Sequence, residues 1–184
     1  MRSPDRTNCL ARICLADLTQ AIQQLAQEPK PVIITGNDQF FSAGAALREI
    51  SELDAISALE LSRQGQALMN AIGGFPAATV AAISGYCMGG GFDLALACKW
   101  RIAAPNAVFG HRGAALGLIT GWGGTQRLPR LVGKARALQM LAAAESIAAK
   151  DALKFGLINA IAEDPVAESI SRLRSMKTDE VAQR

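Results

Sequence analysis

Three consecutive glycines, Gly89-Gly90-Gly91, join an apolar β-branched run, Thr79 to Ile83, to a helix-like stretch over residues 92–98. Glycines between a strand and a helix let a ligand approach bare backbone, because no Cβ holds it away. The helix that follows aims its first unpaired N–H groups at the same place. Asp93 lies just inside that helix, so backbone donors and one carboxylate are delivered to one spot. Such a layout holds a developing oxyanion beside an acid/base group.

A second segment follows the same logic. Residues 31–36 read as a buried strand, and after a polar turn comes Phe40-Phe41-Ser42-Ala43-Gly44-Ala45-Ala46-Leu47, small residues leading into a helix that begins near Ala45. Two turns of this kind can present two backbone N–H groups to one carbonyl oxygen. A third glycine-rich stretch runs from Val108 through His111, Gly113 and Leu116 to Gly121-Trp122-Gly123-Gly124. Apolar spacing predicts helices over 10–27, 45–53, 55–72, 90–98, 123–131, 135–144 and 146–155, with a weaker one over 166–176. Further strands are predicted over 79–83, 100–103 and 157–161. Alternating strands and helices specify an α/β fold with much parallel sheet.

At 184 residues the chain reads as a single domain, 1–184, with a weakly specified helical tail from about 164. Half of its residues are apolar, which suits a packed globule and excludes a disordered chain. A net charge of +3, with basic residues scattered along the chain, argues against nucleic acid as a partner. Cys9, Cys14, Cys87 and Cys98 show no CxxC spacing, and one histidine cannot build a zinc site, so no metal is expected. The thiols read as reduced and the protein as cytoplasmic, without a membrane span or a secretory leader.

The ordered series Ser42-Ala43-Gly44-Ala45, Gly89-Gly90-Gly91-Phe92-Asp93 and Gly123-Gly124-Thr125-Gln126-Arg127-Leu128-Pro129-Arg130 resembles the crotonase superfamily, the enoyl-CoA hydratases and isomerases. The likeness extends from about residue 2 to residue 158. It implies a crotonase-like (ClpP/crotonase) β/β/α superhelix, shortened at both ends, and a homotrimer or hexamer. It also implies an acyl-CoA thioester as substrate, with coenzyme A carried by the substrate and no other cofactor.

Carried over residue by residue, the resemblance puts the oxyanion-hole N–H groups at Ala45 and Gly90 and the acid/base carboxylate at Asp93. Phe41, Ala43, Ala46, Leu47, Gly89, Gly113 and Leu116 then fall at substrate-binding positions, and His111 is a further catalytic candidate. Gly113 occupies the position of a hydratase's second glutamate, which points to chemistry with a single acid. Glycine there is also shared with the naphthoate-synthase branch, which forms carbon–carbon bonds. Ala46 and Lys99 each replace an aspartate common in the family. Two other readings compete: a non-catalytic acyl-CoA binder, and a hydrolase in which Cys87, on a nucleophile-elbow-like turn, pairs with His111.

Overall fold

The structure, a computed structural model, describes residues 1 and 3–182, and for 176–182 the backbone alone. The ends of the expected 1–184 domain, at Arg2 and at residues 183 and 184, lie outside the described residues. The chain opens with α1 (Arg12–Leu25), β1 (Val32–Thr35), β2 (Phe40–Ser42), α2 (Leu47–Ser51) and α3 (Ala55–Gly73). A middle section follows: β3 (Thr79–Ile83), β4 (Tyr86–Met88), α4 (Gly90–Ala97), β5 (Trp100–Ala103), β6 (Val108–Gly110) and a 3₁₀ turn, Arg112–Leu116. The last section comprises α5 (Gly124–Val132), α6 (Lys134–Ala142), β7 (Ser146–Ala148), α7 (Ala149–Lys154), β8 (Ala160–Ile161) and α8 (Pro165–Ala182).

The strands sort into two sheets by their place in a repeat. First strands stack as β1-β3-β5-β8, all parallel, while second strands stack as β2-β4-β6-β7, parallel except for the antiparallel β6–β7 pair. The first three turns of chain each add one strand to each sheet before the next helix, which is the β/β/α superhelix implied by the sequence. In the last turn β7 joins the second sheet and β8 the first, with α7 between them. All five residues of β3 are buried, as expected of an inner parallel strand covered on both faces. Phe41, Phe92 and Phe109 are fully buried in the core that fills the space between sheets and helices.

Local signals account for most boundaries. Asp54 caps α3 by accepting from the Ser57 N–H, and Ser57 reciprocates to the Asp54 N–H, a closed capping box. Leu15 and Ile22 are the buried residues of α1, while Leu25 at its C-terminal end is exposed. The second sheet was not anticipated. Its strands β2, β4 and β6 span three residues each. That is too short for alternation to stand out between glycines.

Three expected elements differ from the observed ones. The helix expected over 146–155 is split, because Ser146–Ala148 pairs with β6 and only Ala149–Lys154 remains helical. The strand expected over 157–161 shrinks to Ala160–Ile161, since the N–H groups of Leu157 and Ile158 turn back to the Ala152 carbonyl. The helix expected from Ala45 starts at Leu47, because Ala43 to Ala45 form an extended segment against residues 7–10.

Candidate active site

Two glycine turns meet at the mouth of α4. Gly44 has φ +95° and Gly89 φ +50°, conformations in which an L side chain is strained. A Cβ built on Gly44 would lie 2.7 Å from the Met88 carbonyl oxygen and 3.0 Å from the Gly90 nitrogen. Only glycine lets the two turns sit this close.

Each turn is oriented by its carbonyl. The Leu10 N–H donates to the Gly44 oxygen at 2.8 Å, so the Ala45 N–H, on the opposite side of the same trans peptide, faces away from Leu10. The Gly89 oxygen accepts from the Asp93 N–H at 3.0 Å, which turns the Gly90 N–H out of the start of the helix. Among the described residues, no hydrogen bond outside helices and strands uses the N–H of Ala45 or Gly90.

Asp93 is buried, 1% exposed, and faces three other segments. Its Oδ2 accepts a hydrogen bond from the Thr120 hydroxyl. Its Oδ1 lies 3.2 Å from His111 Nε2, and His111 is itself 5% exposed. That approach falls outside hydrogen-bond geometry, and neither atom has another partner among the described residues. Buried polar atoms left in this state are costly in a purely structural pair. The His111 ring packs against Phe92, centroids 4.9 Å apart, and Phe92 in turn against Phe109 at 5.8 Å. A Cβ on Gly124 would lie 2.2 Å from Asp93 Oδ1 and 2.7 Å from His111 Nε2. The start of α5 therefore closes one side of the pair.

Trp122 lies beside the Gly90 turn. Its indole lies against both Gly65 of α3 and Gly90 of α4, where added Cβ atoms would come within 2.2 Å and 2.1 Å of ring carbons. The ring is buried, and it forms an apolar wall directly beside the Gly90 amide. Arg127 braces the same loop, donating from Nη1 to the Trp122 carbonyl at 3.2 Å and from Nη2 to Asn70 at 2.8 Å. Burial pulls the Arg127 guanidinium below its ordinary range, an effect that the Asp93 charge opposes and the Arg130 charge reinforces.

The remaining sequence candidates divide by exposure. Ala43, Ala46 and Gly89 are half-buried around the two turns, and Ala43 donates its N–H to the Thr7 carbonyl. Phe41 is fully buried, so its ring is part of the core. Leu47 opens α2 with its side chain exposed. Gly113 is half-buried in the 3₁₀ turn, and Leu116 ends that turn exposed, followed by the exposed Leu118 and Ile119. Thr120 was not among the sequence candidates, and Gly124 was read there only as part of a glycine-rich motif. The signal for Thr120 was its being the sole hydroxyl between Gly113 and Gly124.

The nucleophile-elbow reading of Cys87 does not fit the geometry. Cys87 lies within β4, registered against Phe109, and its Sγ donates to the Gly91 carbonyl at 3.6 Å. Full burial pushes its thiol well above the ordinary range, which removes the thiolate a nucleophile requires. Cys98 is likewise pushed up to about 12 by burial. Among the described residues no group of three metal-ligating side chains occurs, and no helix is long and apolar enough to cross a membrane. A cavity of about 620 Å³ (beside Phe75, Pro76 and Leu173) and an open depression of about 260 Å³ (beside Arg127 and Arg130) border none of Ala45, Gly90 and Asp93.

Comparison with known proteins agrees with this architecture. The family model described as enoyl-CoA hydratase/isomerase matches residues 1–181. A Bacillus subtilis protein named "Probable enoyl-CoA hydratase" is 41% identical over 173 residues, covering 92% of this chain and 66% of that protein. The "Crotonyl-CoA hydratase" of Syntrophomonas wolfei is 39% identical over 163 residues, 87% of this chain and 63% of that protein. The chain thus spans just under two thirds of the length of these relatives. The crystal structure of enoyl-CoA hydratase from Bacillus anthracis superposes with a TM-score of 0.90 at 31% identity, over 95% of this chain and 70% of that one. With the fold, the glycine turns and these matches in agreement, the chain belongs to the enoyl-CoA hydratase/isomerase family.

Proposed function

We propose that this chain binds an acyl-CoA thioester and acts on its double bond, with the thioester oxygen held by the N–H groups of Ala45 and Gly90. Asp93 is the group that moves the proton. The observation that carries this reading is the packing of the Gly44–Ala45 turn on the Gly89–Gly90 turn, one helical turn from a buried carboxylate oxygen without a hydrogen bond. In isomerisation, the Asp93 carboxylate removes a proton from the carbon next to the thioester of a 3-enoyl chain. The released electron pair moves onto the thioester oxygen, where the two N–H groups stabilise it; one such donor is worth roughly 10²–10³ in rate. Asp93 then returns the same proton to the far carbon of the migrating bond, leaving a 2-enoyl thioester and a regenerated carboxylate.

Hydration needs a second group to activate water, and Gly113 offers none. His111, beside Asp93, supplies that group in our reading. The imidazole takes a proton from water as its hydroxyl adds to the β-carbon, and a protonated Asp93 delivers a proton to the α-carbon. The proton gained by His111 passes to Asp93 once their 3.2 Å approach closes into a hydrogen bond, which resets the pair. Trp122 walls the acyl group beside Gly90. The reaction draws on no cofactor beyond the coenzyme A of the substrate.

The test is turnover of crotonyl-CoA and of a 3-enoyl-CoA by the chain and by Asp93→Asn, which keeps the shape of the side chain. Asp93→Asn is expected to lower kcat by about 10²–10⁴ with KM changed only a few-fold. Equal turnover by the variant rules out the role of Asp93. Tight acyl-CoA binding without any turnover by the wild type would establish the non-catalytic binder instead. We further infer a cytoplasmic homotrimer or hexamer, to which the exposed Leu116, Leu118 and Ile119 are suited. A monomer by light scattering at micromolar concentration would contradict that assembly.

A further inference from the structure

Behind the C-terminal end of α4, away from the glycine turns, lies a shallow, open depression of about 260 Å³ whose charged lining is entirely basic. Arg127 and Arg130 reach it from α5, where their i,i+3 spacing sets both on one face. Lys99 enters from the turn after α4, and Arg101 from the second position of β5. Leu96 and Leu131 supply apolar wall, and among the described residues no carboxylate borders the space. Lys99 stands where the family resemblance implies an aspartate, and this replacement makes the charged set wholly cationic.

Arg101 fixes the floor of the site. It is 4% exposed, and its Nε donates to the Leu157 carbonyl at 2.7 Å, while Nη1 donates to the Cys98 carbonyl at 2.6 Å. Its Nη2 donates to no group among the described residues, although the residue borders the depression. Among the described residues neither Lys99 nor Arg130 makes an ion pair, and the Arg130 charge acts against that of Arg127. Cys98 contributes only a neutral thiol, because burial pushes it up to about 12.

Arg127 and Arg130 oppose one another electrostatically, and four basic side chains lining one space favour a compact, multiply charged anion. Planar guanidinium forks suit the oxygens of a phosphoryl group. We propose that Lys99, Arg101, Arg127 and Arg130 form a second ligand site, one that takes a phosphoryl dianion, either free or as the terminal group of an organic phosphate. It lies outside the acyl-CoA chemistry proposed above and stands without it.

The experiment is titration calorimetry of the chain with inorganic phosphate at fixed ionic strength, sodium chloride as the reference salt, beside Lys99→Asp and Arg130→Gln. Both substituted side chains are exposed, and circular dichroism checks that the fold is kept. Phosphate is expected to bind, and each variant to weaken it at least tenfold. Lys99→Asp should also raise Tm in phosphate-free buffer, because the new carboxylate neutralises the arginines. A parallel titration with adenosine 3′,5′-bisphosphate, counting only the binding that Lys99→Asp and Arg130→Gln weaken, separates the sources: tighter binding than phosphate assigns an organic phosphate, and equal or weaker binding assigns the free ion. Phosphate heats no greater than chloride, or binding unchanged in Lys99→Asp, would overturn the site. Enoyl-CoA turnover is expected to be the same in both variants, so this site and the proposed activity fail separately.

Discussion

His111 Nε2 and Asp93 Oδ1 lie 3.2 Å apart in the interior, between α4 and the start of α5, and neither atom has another partner among the described residues. The two residues are 18 positions apart in sequence and come together because β6 runs parallel to β4. That pairing puts the residue after β6 beside the first turn of α4. If the pair works as an acid/base unit, His111→Gln should lower hydration of crotonyl-CoA by about 10²–10⁴ while isomerisation of a 3-enoyl-CoA falls much less. The ratio of the two rates is the readout. Equal losses in both reactions would show that His111 merely supports Asp93.

Gly124 offers a test that leaves both titratable side chains in place. A methyl group there would stand within 2.2 Å of Asp93 Oδ1 and 2.7 Å of His111 Nε2, so the pair must separate. Gly124→Ala is expected to destabilise by about 1–3 kcal/mol, the usual range for overpacking, and to depress turnover as far as Asp93→Asn does. Denaturant titration and initial rates measure the two effects. Wild-type turnover in Gly124→Ala would show that the contact is incidental.

Trp122 and Gly90 should be energetically coupled. Trp122→Ala empties the space beside Gly90 and is expected to cost about 3–5 kcal/mol. Gly90→Ala alone drives a methyl group to within 2.1 Å of the indole. In the double variant the ring is gone and the methyl group is accommodated, so its destabilisation should fall short of the summed single effects by more than about 0.5 kcal/mol. Additive losses in a chemical-denaturation cycle would contradict the packing described for the indole.

The buried thiols predict a loss of stability at high pH. Cys98 ionises near 9.0 when exposed and near 12 in the folded chain, and Cys87 is shifted in the same direction. Below about pH 9 both states hold the proton and stability is unaffected. Above it the unfolded chain releases a proton that the folded chain keeps, so each thiol lowers stability by about 1.4 kcal/mol per pH unit. Cys98→Ala should flatten the decline between pH 9 and 12, once its constant cavity cost is subtracted. An unchanged slope in urea titrations across that window would count against burial as the cause.

Much of this architecture was legible in the sequence because it rests on local signals. The strands at 79–83 and 100–103 appear with the boundaries read from their apolar runs, and Gly90 opens a helix as its position after a strand implied. The second sheet was hidden. Its three parallel strands are three residues long, and their pairing partners lie one superhelical turn away in the chain. The Ser146–Ala148 strand was read as helix for the same reason, since only its neighbour β6 makes it extended.

At the site, the two glycine turns and Asp93 were legible as a motif, because close backbone approach leaves glycine as its trace. The surroundings of Asp93 were not. Thr120, from the loop before α5, and Gly124, at the start of α5, reach it only in the folded chain, and no spacing rule connects them to α4. The basic depression was equally silent, as Lys99, Arg101, Arg127 and Arg130 come from two segments that meet only in the folded chain.

The central claim is that the Ala45 and Gly90 amides form a working oxyanion hole, and calorimetric binding of acetoacetyl-CoA beside free coenzyme A tests it most directly. Acetoacetyl-CoA offers an enolate-like oxygen to those amides, whereas free coenzyme A offers only the handle common to both ligands. Binding at least tenfold tighter for the acyl ligand, about 1.4 kcal/mol, is the predicted result. Equal affinity for the two, or no binding of either, would mean that the glycine turns serve the fold alone.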